Sequence, residues 1–94
     1  MAKLTPKQIK AAMSGAKHWK KKGASITRIF QFNDFNDSMK FVNKVARIAE
    51  RANHHPDIDI RWNKVTLTLA THSEGGLTQK DFDVATKVDP LVHA

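Results

Sequence analysis

Cysteine is absent from this 94-residue chain. That excludes a disulfide framework and any thiolate metal site, and it suits a reducing, cytoplasmic location. Long apolar runs are missing too: none approaches the ~20 residues that a membrane span needs. Met1 to Pro6 lack the apolar stretch of a secretory signal, so no membrane partner is expected. Acidic residues are missing from positions 1–22, which hold seven lysines, whereas the rest of the chain carries nine Lys+Arg against nine Asp+Glu. The formal net charge of +7 is therefore an N-terminal property. Lysines without interleaved arginines or aromatics carry little recognition information, so nucleic acid is not expected as a partner. The length reads as one domain spanning residues 1–94. Such a chain buries roughly 60–65% of its unfolded surface, so self-association would supplement its stability.

Helix signals are dense. Thr5 as N-cap, Pro6 at N1 and Gln8 at N3 make a capping box, with Leu4 and Ile9 at the staple positions. A short helix to about Met13 follows, ended by Ser14-Gly15. Residues 17–22 read as a short strand or loop and Gly23-Ala24 as a turn. Ile26 to Phe32 reads as a strand whose alternation is imperfect, because Arg28 shares a face with Ile26 and Phe30. Asp34 caps a helix from about Phe35 to Ala52, which Asn53 closes and Pro56 cannot extend. Phe35, Met39, Val42, Ala46 and Ala49 form one apolar stripe. Phe41, Val45, Ile48 and Ala52 widen it, which leaves Phe41 and Ile48 as the edge expected to meet a second partner.

Ile58, Ile60 and Trp62 alternate with Asp57, Asp59 and Arg61; Val65, Leu67 and Leu69 alternate with Thr66, Thr68 and Ala70. A two-residue turn at Asn63-Lys64 pairs 62 with 65, 60 with 67 and 58 with 69, which puts all six apolar residues on one face. His54 and His55 precede this hairpin and His72 follows it, so the histidines are expected to be neighbours. Thr78 as N-cap, Asp81 at N3 and a Leu77–Phe82 staple start a last helix, with Phe82, Ala85, Val88 and Val92 buried and Pro90 ending or kinking it. The order α-β-β-α-β-β-α with hairpins favours an α+β fold: a four-stranded antiparallel sheet with three helices packed on one face.

Histidine gives and takes protons near neutral pH, its unperturbed pKa being about 6.5. No HxxxH spacing and no cysteine accompany the adjacent pair His54-His55, so a metal is not expected. Acid–base catalysis without a cofactor is the chemistry these residues suit, as in an elimination or tautomerisation. The bland alternative is that His54 and His55 only terminate the long helix. His18 and His93 receive no role.

The segment Glu50-Arg51-Ala52-Asn53-His54-His55-Pro56, then Trp62-Asn63-Lys64-Val65, Thr71-His72, Gly76-Leu77-Thr78 and Asp81, resembles the pterin-4a-carbinolamine dehydratases. Phe30-Gln31-Phe32-Asn33-Asp34-Phe35 looks like that family as well. The resemblance implies the same α+β sandwich, assembled as a homodimer or homotetramer. It implies a hydro-lyase that removes water from 4a-hydroxytetrahydropterin to give the quinonoid dihydropterin, in recycling for an aromatic amino-acid hydroxylase. By position, His54 and His72 would transfer protons and His55 would position the pterin. Glu50, Thr71 and Asp81 would lie near the pocket and Trp19 would wall it. Asp81 is equally the N3 residue of a capping box, Glu50 a helix-surface charge, Thr71 a strand-end residue and Trp19 a core aromatic. Asn53, Ser73-Glu74-Gly75 and Pro90 depart from familiar members. The competing function is a non-catalytic oligomerisation or transcription-partner module that uses the helical face.

Overall fold

Side-chain capping sets the helix bounds in the computed structural model, which describes residues 2–92. Helix α1 (Pro6–Met13) starts on the expected capping box: the Thr5 hydroxyl accepts the Gln8 amide, and the Gln8 side chain accepts the Thr5 amide. Strand β1 (Lys20–Lys22) turns through Gly23, at φ +59°, into β2 (Ser25–Gln31). Asp34 then caps α2 (Phe35–Ala52), accepting the Asp37 amide at 2.8 Å. Strands β3 (Asp57–Arg61) and β4 (Lys64–Leu69) form a hairpin, and α3 (Gln79–Val88) starts on a second capping box. Pro90 ends α3 as expected, in a short 3-10 turn over Asp89–Leu91.

The sheet is antiparallel throughout, in the order β1-β2-β4-β3. Period-two alternation gives it one apolar face, where Ile26, Phe30, Val65, Leu67 and Leu69 are buried. Phe41, Val45 and Ala49 of α2 and Phe82, Ala85 and Val88 of α3 are buried with them, and α1 leans Ile9, Ala12 and Met13 on the same core. The Phe41 ring lies 4.6 Å from Phe30 and 5.0 Å from Phe32, centroid to centroid. The opposite face is open, with Ile29 exposed among Thr27, Gln31, Thr66 and Thr68. Among the described residues no helix is long and apolar enough to cross a membrane.

Arg28, the exception in the β2 alternation, does lie on the apolar face, opposite Leu67. Its guanidinium sits 4.4 Å above the Phe30 ring and meets Asp89 Oδ1 at 2.7 Å. The same oxygen accepts the Trp19 indole N–H at 2.8 Å. The charge is tolerated there because it is paired and stacked.

Two expectations are corrected. The hairpin turns at Trp62-Asn63, not Asn63-Lys64: Arg61 pairs with Lys64, Ile60 with Val65 and Ile58 with Leu67. Asn63 is held by β2, its carbonyl accepting the Phe32 amide at 2.8 Å and its side chain donating to the Phe32 carbonyl at 3.1 Å. Trp62 therefore takes the positive φ of 49°. The two-residue shift preserves the face of every side chain, yet Ile58 and Ile60 remain 38% and 37% exposed, because β3 is an edge strand whose residues are all exposed. In α2, the buried line runs through Ser38, Phe41, Val45 and Ala49. Phe35 and Ala46 are exposed and Met39, Val42 and Ile48 half-buried, so Phe41, which is buried, does not lie on the outward edge.

Candidate functional site

The end of α2 aims the first two histidines. Asn53 takes left-handed geometry (φ 49°, ψ 42°) and donates its N–H to the Ala49 and Glu50 carbonyls. The His54 amide reaches back to Ala49 at 3.1 Å, which satisfies carbonyls the helix would leave free. Beyond this cap the two side chains differ in exposure: that of His54 is 12% exposed and that of His55 55%. His54 Nε2 meets Asp81 Oδ1 at 2.5 Å. A carboxylate oxygen accepts, so Nε2 donates, and the neutral ring keeps its lone pair on Nδ1.

Asp81 is wholly buried, and its two oxygens do different work. Oδ1 meets His54, while Oδ2 accepts the Thr78 amide at 2.9 Å and the Thr71 hydroxyl at 2.8 Å. The Thr71 hydrogen being committed, the Thr78 hydroxyl donates to Thr71 Oγ1 at 2.9 Å and accepts the Lys80 amide at 3.3 Å. Among the described residues no buried side-chain nitrogen or oxygen lacks a partner. The two readings of Asp81 thus coincide: one oxygen closes the capping box and the other orients an imidazole.

Thr71 carries the connection to the third histidine. It bridges Gly76 across a tight loop in which Gly75, at φ +72°, donates its N–H to the His72 carbonyl at 3.1 Å. His72 opens the short 3-10 turn of that loop and is exposed. One carboxylate therefore ties together the end of α2, the end of β4 and the start of α3, the segments that carry His54, Thr71-His72 and Asp81. His55 Nε2 pairs with Glu50 Oε2 at 2.5 Å on the outer surface. Two surface hollows, of about 590 and 440 Å³, are lined by none of the three histidines. His54 is the inner imidazole, and His55 and His72 stand at the surface.

A sequence model described as pterin 4 alpha carbinolamine dehydratase matches residues 2–91. The chain belongs to that family. A relative from Acidobacterium capsulatum is 52% identical over 92 residues, 98% of this chain and all of its own. Another, from Sulfurisphaera tokodaii, is 45% identical over 98% of this chain and 99% of its own. Both carry the provisional name pterin-4-alpha-carbinolamine dehydratase. A solved structure described as a transcriptional coactivator/pterin dehydratase from Brucella melitensis superimposes with a TM-score of 0.92 at 35% identity, covering 97% of this chain and 99% of that one. A pterin dehydratase-like protein identified as a RuBisCO assembly factor of the alpha-carboxysome shares the fold, with a TM-score of 0.64 at 23% identity over 78% of this chain and 84% of its own.

In this member of the pterin 4 alpha carbinolamine dehydratase family, Trp19 does not join the histidines. It is 2% exposed, packs edge-on to Phe30 and bonds Asp89. Asp89 lies eight residues beyond Asp81, about 12 Å along a helical rise. Thr78 is the site residue that the sequence reading omitted. Its signal was the capping box itself, because an N-cap that fixes the N3 carboxylate also fixes whatever the second oxygen touches.

Proposed function

We propose that this chain is a cofactor-free 4a-hydroxytetrahydropterin dehydratase. The observation that carries the reading is the His54–Asp81 pair, with Asp81 held by Thr71 and Thr78. Dehydration breaks the C4a–O bond, delivers a proton to the departing hydroxyl and removes the N5 proton. His54, with its tautomer set by a buried carboxylate, suits one transfer; exposed His72, on the adjoining loop, suits the other. His55, paired with Glu50, would position the ring. Such acid–base catalysis contributes about 10²–10⁴-fold. A pterin-using aromatic amino-acid hydroxylase would supply the substrate. The reading includes self-association, favoured by exposed Ile58 and Ile60 on the edge strand β3 and by exposed Trp62 in the turn that follows it, and a cytoplasmic location.

The test follows 4a-hydroxytetrahydropterin breakdown spectroscopically with and without the protein. The wild type accelerates it, and His54→Ala and His72→Ala each lose about 10²-fold. No acceleration by the wild type, or wild-type turnover in the His54→Ala, His55→Ala and His72→Ala variants alike, rejects the chemistry. The non-catalytic partner module then becomes the better reading.

A further inference from the structure

The hollow of about 590 Å³ takes no part in the proposed reaction. It lies between α1, the β1–β2 turn and residues 75–77, and its volume falls in the usual range for small-molecule sites, about 300–1,000 Å³. Leu4, Ile9 and Met13 give it an apolar wall; Lys3, Lys10 and Lys21 contribute the charge, and no acidic residue lines it. Its shape is held by specific contacts. The Leu4 amide donates to the Leu77 carbonyl at 2.8 Å, which anchors the segment that carries Lys3. The Lys3 stem lies flat on Gly76, where a Cβ would come within 2.6 Å of Lys3 Cδ. Lys21 Nζ reaches the Gly23 carbonyl at 2.7 Å. Part of the lysine-rich, acid-free N-terminal segment thus converges on one apolar recess.

We propose that this hollow binds a small amphiphilic organic anion, its apolar body against Leu4, Ile9 and Met13 and its carboxylate among the three lysines. The charge complementarity calls for an anionic head. The apolar wall calls for a hydrocarbon or aromatic body, which a bare anion lacks.

Octanoate, below its micelle concentration, is the probe, and 1-octanol and inorganic phosphate are the comparisons. The chain has four glycines, of which Gly23, Gly75 and Gly76 line the hollow and Gly15 does not. In ¹H–¹⁵N spectra octanoate shifts the Gly23, Gly75 and Gly76 amides saturably and leaves Gly15 in place, while octanol binds about tenfold more weakly for want of a charge-assisted contact. Lys10→Glu weakens octanoate about fivefold by reversing one charge. Lys87→Glu, at the matching last-turn position of α3, changes net charge equally and leaves affinity alone. The proposal fails if octanoate and octanol bind alike, if phosphate produces the same shifts, or if the two lysine variants behave identically. It fails too if the shifts appear only with a doubling of molecular mass, which would make this face a contact between copies.

Discussion

Replacing Asp81 with asparagine keeps the shape of the side chain and reverses one of its hydrogen-bonding ends. Two donors, the Thr71 hydroxyl and the Thr78 amide, converge on Oδ2, so the asparagine oxygen must take that place. Its NH₂ then faces His54 Nε2, donates to it and moves the ring proton to Nδ1. Three hydrogen bonds lose charge assistance, worth about 1 kcal/mol each. Relief of a buried formal charge offsets part of that, which leaves a net loss of about 1–2 kcal/mol. For a chain of this size melting falls by about 4–8 °C per kcal/mol, and the folded state survives. Turnover of 4a-hydroxytetrahydropterin falls by about 10²-fold, the low end of acid–base effects, because the nitrogen that offered a lone pair now carries hydrogen. Asp81→Ala is the harsher change, since it leaves the buried Thr78 amide without an acceptor. The assays are thermal melting by circular dichroism and stopped-flow spectroscopy of pterin breakdown. An Asp81→Asn variant with wild-type turnover refutes the tautomer argument, and one with wild-type melting refutes the energetic one.

Phe41→Ala empties a buried site between Phe30 and Phe32 and costs about 3–5 kcal/mol, measured by urea denaturation. Asp89→Ala strips a shared acceptor from Arg28 and Trp19; the loss is about 2–3 kcal/mol, with a weakened near-ultraviolet signal from the Trp19–Phe30 pair and a smaller effect on turnover than Asp81→Asn. Trp62→Gly relieves a positive φ in the hairpin turn and raises stability by about 1 kcal/mol, visible as a higher melting temperature. Glu50→Gln removes an exposed pair to His55 and changes stability by at most about 0.5 kcal/mol at moderate salt, so any larger loss of turnover reports on His55 placement.

Features encoded by adjacent residues were legible in the chain. The Thr5–Gln8 and Thr78–Asp81 capping boxes, the Asp34 and Asn53 ends of α2, and the Pro90 stop appear as read, because each depends on hydrogen bonds within one helical turn. The alternation in β3 and β4 gave the correct faces. The turn position was misread because the pull on Asn63 comes from Phe32, thirty-one residues away. The inward side of α2 was misplaced for a related reason. Its apolar arc covers half the cylinder, and packing against distant segments, among them the Phe30 and Phe32 rings that meet Phe41, selects the inner line.

Local order, the antiparallel fold class and the presence of histidines at both ends of one hairpin follow from the residue string, since capping and periodicity act over a few positions. Which imidazole lies inside, and that one buried carboxylate serves both a helix cap and His54, were decided by packing. So was the placement of Trp19 with Asp89, away from the histidines. Those outcomes require segments far apart in the chain to meet, and no local pattern carries that distance.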